Sequence, residues 1–560
     1  MQQIIRIDMS TLSVSRETLP AEYAGLGGRG LTSRIISREV PPNCHPLGVD
    51  NKIVFAPGLL TGTHAPSSGR LSVGAKSPLT GGIKESNVGG TAGVSMARMG
   101  IGALIVEGAA DAAYVLEVSG DDIRFRSAGE LKNQSNYAVG RHLADRYGPK
   151  TPYIAVGPAG EAGLAVATVA VSDLEGRPTR HAGRGGMGAV LGAKGVRAIV
   201  FPGKGSARQP EDAVRFKAAA KGLAKELADG RKALTRYGTA VLVNVINAAG
   251  ALPVNNFRHG SLAGTDAISG ETLARHCDSR GGRTGHPCHP GCVIRCSNIY
   301  HAADGNYLTS ALEYETITLL GTNCGLRDLD QIAELDFMCD DFGMDTMETG
   351  TALAVAMEAG LLPWGDFEGM KRCLAEMVDG TVLGRLLGQG AHTLGRTLGV
   401  TRIPTVKGQA IAGYDPRVLK GTGATYATSP MGGDHTAGNC LPGRTGLNDR
   451  EKTGQVSASR EIQTYTTLFD NLGLCIFVGP VKGSMAAVCE LFNSYTGLAY
   501  GEAELNALAE EILQDELIFN EKAGISRYQN DLPAFFRTEA VHSGLVFDVP
   551  PDELVNAFDH

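Results

Sequence analysis

Up to about residue 203 the chain alternates short runs of branched and aliphatic residues with turns of glycine, proline and asparagine. The runs IIRIDM, KIVFAPG, RLSVGAK, ALIVEG, YVLEV, YIAVG and VRAIVF predict strands. Beyond GKGSARQPED the apolar positions recur at about 3.6 residues, the helical period, in DAVRFKAAAKGLAKELA, LEYETITLLG, LDQIAELDFMCDDFG and ETGTALAVAMEAG. A last helical stretch contains VKGSMAAVCELFNSY and EAELNALAEEILQDELIFNEKAG. The expected fold class is α+β, with a β-rich domain over residues 1–205 followed by two mainly helical domains, 206–420 and 421–560. No tandem repeat of fixed period is evident, although one short motif occurs twice.

With 560 residues, 43% of them hydrophobic, the chain can bury a large core. The formal charge of -7 is mildly acidic and dispersed, which argues against non-specific nucleic-acid binding and against a basic membrane patch. No secretory leader is visible in MQQIIRIDMS, and no apolar run approaches the roughly 18 residues that span a bilayer, so a cytoplasmic location is expected. Glycine is the outlier: 75 of 560, about 13%, against roughly 7% on average. Eleven cysteines are too few for a disulfide framework at this length, and in a reducing compartment clustered thiols point to metal binding.

Cys288, Cys292 and Cys296 fall within HPCHPGCVIRC, where Pro287, Pro290 and Gly291 bend the loop so that thiols can converge on one object. A zinc site with His286 or His289 would require a second close ligand pair, which does not follow. Inert buried cysteines seldom crowd a Pro/Gly loop, and radical SAM chemistry would need a shorter second gap. An iron–sulfur cluster remains the main reading, with the fourth ligand open among Cys277, Cys324, Cys339, Cys440, Cys475 and Cys489.

The twice-occurring motif is DxxGx(D/C): Asp340, Gly343 and Asp345, then Asp470, Gly473 and Cys475. Each copy ends a helical pattern at a glycine that lets backbone groups face a ligand. A single copy reads as an ordinary helix C-cap, whereas two in successive helical regions imply two halves holding the two ends of a pseudo-symmetric polar cofactor. The kinase reading of Asp341-Phe342-Gly343 lacks its partner motifs. The run from Gly183 to Gly188 fits GxGxxG, but RPTRHA precedes it and the next strand ends at Pro202 without an acidic residue, against a nicotinamide site. The glycine-dense loops around Arg70 and Asn87 can cradle phosphates through consecutive amides, or be simple tight turns.

Taken together, LTGTHAPSSGRLSVGAKSPLTGG, SNVGG, AGRGGMGAVLGAKGVRAI, the cysteine loop, EYET, DDFGMD, KGQAIAGYDPR, TYATSPMGGDHTAG and DNLGLC resemble the tungsten-containing aldehyde:ferredoxin oxidoreductase family over nearly the whole chain. The resemblance implies tungsten, or molybdenum, between two pyranopterin dithiolenes above a saddle-shaped N-terminal sheet domain. It implies that Asp340, Gly343 and Asp345 face one pterin, that Asp470 and Gly473 face the other, and that Cys475 joins Cys288, Cys292 and Cys296 around a [4Fe-4S] cluster. Arg70 would link pterin to cluster, backbone oxygens near Asn87 and Ala182 would hold a magnesium ion bridging the pterin phosphates, and Gly89, Arg184 and Asp434 would also touch the cofactor. The family loop usually reads CxxCxxxC; here His289, Pro290 and Gly291 fill the first gap, so a bulge or altered ligation is expected, with His289 as the substitute ligand.

The implied reaction is oxidation of an aldehyde to a carboxylic acid, with electrons leaving through the cluster to ferredoxin or a small iron–sulfur subunit. His435 is the candidate hydrogen-bond donor or proton shuttle, since imidazole titrates near neutrality; its bland alternative is a structural histidine in a polar turn. Glu313 and Glu315 are candidate bases, since burial raises a carboxylate pKa. Placed two apart on a helix they would diverge, so one is expected at the metal, with Glu313 favoured. The other readings are a same-family low-potential reductase subunit, for example of aromatic thioester rings in a larger complex, and a zinc-stabilised scaffold. No nucleic-acid or membrane partner is expected, and a homodimer is left open.

Overall fold

The computed structural model describes residues 2–120, 122–206, 209–479 and 484–559. All seven expected strands are present in two six-stranded N-terminal sheets, together with five that the pattern did not announce. The first six, β1 (Gln3–Asp8), β2 (Ser13–Thr18), β3 (Ile53–Pro57), β4 (Leu71–Lys76), β5 (Ile83–Val88) and β6 (Ile101–Glu107), form a sheet in the order β2-β1-β6-β3-β4-β5. The next six, β7 (Tyr114–Ser119), β8 (Asp122–Ser127), β9 (Tyr153–Val156), β10 (Val169–Val171), β11 (Arg180–Ala182) and β12 (Val196–Val200), form a second sheet in the order β11-β10-β9-β12-β7-β8. Central strands such as β3 and β4 are buried along their whole length, whereas the edge strand β2 alternates, as one-sided burial requires.

Read from its other end, the second sheet repeats the first strand for strand. Each has a single parallel pairing, β1 with β6 and β7 with β12, and both carry a register shift near the same end. Each carries a 12-residue helix after its hairpin, Gly28–Glu39 and Asn136–Tyr147, and a 7-residue helix before its last strand, Ala92–Arg98 and Met187–Ala193. The sequence shows no fixed period because the two copies share burial pattern and topology, not residues or loop lengths. Register fixes the correspondence: Pro57, Leu71 and Val88 lie abreast in one copy, and Val156, Val169 and Ala182 in the other. Asn87 and His181 are therefore equivalent, as are Arg70 and Thr168, and Gly58 and Gly157. Residues of both sheets, among them Ile53, Leu104, Ile154 and Ile199, belong to one hydrophobic core.

Two expectations need correction here. The segment before the Gly183 loop is a strand after all, because β11 pairs with β10 despite its Arg-His-Ala composition. LEYETITLLG is not a regular helix: Tyr314–Thr316 makes one α turn that widens into a π turn at Ile317–Gly321. The other helical segments hold, including Ala213–Gly230, Leu329–Phe342, Thr346–Glu358, Ser484–Thr496 and Glu502–Lys522; residues 481–483 of VKGSMAAVCELFNSY lie outside the described residues. Leu329–Phe342 and Thr346–Glu358 pack into a core whose residues run from Ala159 to Ala557, whereas Phe216 and Leu223 of the first helix meet Leu468, Phe469 and Leu505 in a second core. A small three-stranded sheet, Arg283–His286, Ser297–His301 and Tyr307–Ser310, interrupts them, and the cysteine loop joins its first two strands. No helix among the described residues is long and apolar enough to cross a membrane.

The helical part docks on the sheets through the two DxxG turns. Gly343 and Gly473 end their helices at φ +76° and +75°, where a side chain would be strained. Their carbonyls accept from equivalent strand ends, Gly343 O from Thr168 N at 2.9 Å and Gly473 O from Arg70 N at 3.2 Å. Two residues on, Asp345 N donates to Val166 O and Cys475 N to Ser67 O, both at 2.9 Å. The fit leaves no room: a Cβ on Gly58 would lie 2.0 Å from Gly473 Cα, and one on Gly157 2.3 Å from Phe342 O. Gly58→Ala and Gly157→Ala should each destabilise the chain by about 1–3 kcal/mol or more, read as a lowered thermal midpoint. Gly222→Ala, whose Cβ meets nothing within 4 Å on the exposed face of the helix Ala213–Gly230, should not lower it.

Candidate redox site at the junction of the sheets and the helical part

A cavity of ≈ 380 Å³ opens where the edge strands β5 and β11 meet the two turns. Arg70, Asn87, Gly89, Arg184, Glu313, Glu315, Asp340, Asp345, Asp434, His435, Cys288, Cys296 and Cys475 all line it, so most of the expected site residues converge. Asp470 reaches the same wall from behind through Asn87, while Cys292, Ala182, Gly343 and Gly473 lie behind the lining, Ala182 in the β10–β11 ladder and the two glycines in the turns.

The equivalence of the sheets extends to side chains. Asn87 Nδ2 donates to Asp470 Oδ1 at 3.3 Å, and His181 Nε2 lies 3.1 Å from Asp340 Oδ1. Arg70 Nε donates to Asn87 Oδ1, while the Thr168 hydroxyl meets His181 Nδ1 at 2.6 Å. His181 Nε2 also faces Pro178 O at 2.9 Å, so Nε2 carries the proton and Nδ1 accepts from Thr168. Burial raises the pKa of both aspartates, and Glu85 pushes Asp470 in the same direction. Asp345 caps the following helix through Met347 N at 3.0 Å, leaving its other oxygen 3.4 Å from Arg184 Nε.

Ser67 ties the cysteine loop to the second turn. Its N–H donates to Gly291 O at 3.0 Å, its hydroxyl accepts from Val293 N at 3.2 Å, and its carbonyl receives Cys475 N. Gly89 lets the loop approach, since a Cβ there would sit 3.0 Å from Cys288 O and 3.4 Å from Cys288 Sγ. A hydrogen bond from Cys288 brings the Cys292 thiol down to about 6, whereas burial lifts Cys475 to about 11 and Cys296 well above its ordinary value. Buried Arg70 faces Cys288, Cys475 and Asp470, whose combined charge outweighs the desolvation that would lower its own pKa. The extra residue in the loop puts a new side chain at the thiols: ligand atoms of Cys288, His289 and Cys292 lie within 4.8 Å of one another. His289 Nδ1 donates to Pro290 O at 2.9 Å, which leaves a buried Nε2 lone pair without a partner.

Glu313 precedes the α turn in an extended conformation, φ -105° and ψ 165°, so it does not diverge from Glu315 and both reach the cavity. They face different neighbours. Glu313 accepts from the Thr239 hydroxyl at 2.5 Å and lies near Cys296 and Cys475. Glu315 accepts from Gly413 N at 2.7 Å and lies 3.5 Å from His435 Nε2. Burial raises the pKa of both. Asp434 is locked in a buried ion pair with Lys84; Lys84 and Arg184 hold its carboxyl far below the usual range against the opposing effect of burial, and it caps Thr436 at 2.9 Å. Lys84, Arg180, His181 and Tyr414 were missed by sequence reasoning. His181 alone carried a signal, the alignment of TRHAGRGG with ESNVGGTAG.

Eight buried polar atoms on this wall have no hydrogen-bond partner: Arg180 Nε, Arg184 Nε, Glu315 Oε1, Asp340 Oδ2, Asp345 Oδ2, His435 Nδ1, and Nε and Nη2 of Arg444. Orphaned groups cost free energy unless something polar meets them, so this donor and acceptor set suits a large polar cofactor. Four mostly buried thiols likewise suit an iron–sulfur core, and the guanidinium beside them suits the net negative charge that four thiolates would give it.

Such a wall of unpartnered polar groups beside clustered thiols defines a cofactor-dependent redox protein. Family models described as "Aldehyde ferredoxin oxidoreductase, N-terminal domain" and "Aldehyde ferredoxin oxidoreductase, domains 2 & 3" match residues 4–203 and 216–558. The chain belongs to the aldehyde ferredoxin oxidoreductase family and is an oxidoreductase. It is 32% identical to the tungsten-containing aldehyde ferredoxin oxidoreductase of Pyrococcus furiosus, over 97% of this chain and 92% of that protein. To the enzyme of the same name from Thermococcus kodakarensis it is 31% identical, with the same coverage. The WOR-like subunit of an aliphatic sulfonate oxidoreductase from Pyrococcus furiosus is 24% identical over 88% of this chain and 81% of its own length. In fold the chain resembles the active-site complex BamBC of benzoyl coenzyme A reductase, with a TM-score of 0.84 at 18% identity over 99% of this chain and 93% of that one.

Replacing Cys475 by Ala should reduce bound iron by more than half in anaerobically prepared protein. Cys277→Ala, which removes a thiol facing Ile299 O in the helical core, should leave it unchanged. Iron analysis with reduced-state EPR checks both.

Proposed function

We propose that the chain oxidises an aldehyde to a carboxylic acid at a tungsten, or molybdenum, bis-pyranopterin, and passes the electrons through a [4Fe-4S] cluster to ferredoxin or a small iron–sulfur subunit. The observation that carries this reading is the equivalent placement of Asp340 with His181 and Asp470 with Asn87 beside four thiols. Asp340, Gly343, Asp345 and Arg184 would hold one pterin, and Asp470, Gly473, Asn87 and Gly89 the other. The edge strands at Asn87 and Ala182 would present carbonyls to a magnesium ion between the phosphates. Cys288, Cys292, Cys296 and Cys475 would ligate the cluster, with His289 in reach through its free nitrogen, and Arg70 would link the cluster to the pterin. When bound, the metal supplies the two-electron redox chemistry and activates the carbonyl.

The overall change is R–CHO plus water to R–COOH, two protons and two electrons, so the chain must orient a carbonyl and take up protons. The pairing of His435 with Glu315, rather than Glu313, favours Glu315 as the proton acceptor. Its raised pKa makes it a stronger base than an exposed carboxylate, and its Oε1 has no other partner. His435 donates from Nε2 towards the carbonyl oxygen or Glu315, while the Tyr414 ring, 6.0 Å from the imidazole, walls off one side. The Lys84–Asp434 pair fixes the turn that presents His435. Glu313, near Cys296 and Cys475, is assigned to the cluster side.

Protein expressed with tungstate and purified anaerobically should contain tungsten or molybdenum and iron, and reduce a viologen dye when given an aldehyde. Zinc alone, or a requirement for a larger complex and a thioester, would refute the reading. Glu315→Gln and His435→Asn should each lower kcat by about 10²–10⁴-fold, and Glu313→Gln by less. A base must be ionised to accept a proton, so the acid limb of kcat/KM should lie above the ordinary carboxylate range, because burial raises the Glu315 pKa, and should vanish in Glu315→Gln.

A further inference from the structure

The cysteine loop carries two wholly buried histidines, His286 and His289, and only the first has partners for both ring nitrogens. His286 Nε2 lies 3.1 and 3.0 Å from the two Glu175 oxygens, and its Nδ1 is 3.3 Å from Arg180 Nη2. His289 commits its Nδ1–H to Pro290 O at 2.9 Å. A carbonyl oxygen only accepts, so that bond fixes the tautomer and leaves Nε2 as a bare lone pair. Among the described residues nothing meets it. Metal-bound imidazoles have this arrangement, with the ring N–H on a backbone carbonyl, carboxylate or water and the other nitrogen on the ion.

The surroundings identify the missing partner. Ligand atoms of Cys288, His289 and Cys292 lie within 4.8 Å of one another. Gly69 makes room for the ring, since a Cβ there would lie 2.3 Å from His289 Nδ1 and 2.7 Å from its Cγ. The two neighbouring guanidinium groups are engaged elsewhere, Arg70 by Asn87 Oδ1 and O, Arg180 by Ser297 Oγ and His286 Nδ1. What remains beside Nε2 is sulfur. A thiol offers a lone pair its one proton, and that proton is lost when the sulfur binds a metal. With the thiolates on iron, the electron-pair acceptor left for the imidazole is the iron itself.

We propose that His289 is an iron ligand: its Nε2 binds the iron that Cys288 holds, so that one corner of the cluster carries nitrogen beside sulfur while Cys292, Cys296 and Cys475 hold the other three. Cys288 and His289 are consecutive in a loop bent by Pro287, Pro290 and Gly291, and two neighbours with donor atoms this close serve one corner. That corner has two protein ligands and keeps its iron when either one is lost. This inference rests on the iron–sulfur reading above and deepens it.

The test is pulsed EPR of the reduced cluster in anaerobically purified, full-length protein labelled with nitrogen-15 histidine, with iron analysis of the same samples. The wild type should show one strongly coupled histidine nitrogen, and His289→Ala should lose that coupling while keeping the cluster signal. Cys288→Ala should retain more than half of the wild-type iron together with the nitrogen coupling, whereas Cys288→Ala combined with His289→Ala should lose most of the iron. No coupling in the wild type, coupling that survives in His289→Ala, or a loss of iron in Cys288→Ala as deep as in Cys475→Ala overturns the proposal. The labelled wild type and Cys288→Ala decide the matter even where His289→Ala fails to fold. Zinc bound in place of iron, with no reduced-cluster signal, sinks the iron–sulfur reading itself; a cluster signal without nitrogen coupling sinks the histidine ligand alone.

Discussion

The architecture depends on two glycine turns laid against the same place on two copies of one sheet. Gly343 and Gly473 offer their carbonyls to Thr168 N and Arg70 N, and the chain then runs back along each sheet through Asp345 and Cys475. Backbone contacts at 2.9–3.2 Å, with no room for a Cβ on Gly58 or Gly157, define position far more tightly than side-chain packing does. Everything aimed into the cavity inherits that precision. Asp340 lines it and Asp470 backs it through Asn87, from related positions, because the strands beneath them are related.

The symmetry stops where chemistry requires a difference. One turn continues into Asp345, which caps a helix and meets Arg184; the other continues into Cys475, which joins three further thiols through Ser67. Arg70 and Thr168 are equivalent in position, yet only Arg70 carries charge, and it lies on the thiol side. A nearly symmetric cradle thus gains a direction, with thiols at one end and the His435–Glu315 pair elsewhere on the wall. The unpartnered groups on that wall leave the ligand-free protein electrostatically unsatisfied.

Legibility followed local pattern. Buried strands such as β3, β4 and β6 announce themselves by composition, and the cysteine loop and the two DxxGx(D/C) turns by their letters. The strands that build the site, β5 and β11, were invisible because IKESNV and RHA are polar where they face the cavity. The duplication was hidden for the same reason: topology repeated while sequence diverged. A helix through Glu313 and Glu315 would part them, but an extended Glu313 ahead of a π turn brings both to the cavity. Arg444 lies in a Pro/Gly loop with no periodicity, and only its unpartnered Nε and Nη2 mark it in three dimensions.

Anomalous diffraction from crystals of anaerobically purified protein, recorded at the tungsten, iron and zinc absorption edges, tests the central claim most directly. The account predicts one heavy-metal peak in the cavity between the Asp340–His181 and Asp470–Asn87 pairs, and iron scattering centred among Cys288, Cys292, Cys296 and Cys475. A zinc peak at the cysteine loop with no heavy metal in the cavity, or iron bound without Cys475, would contradict it.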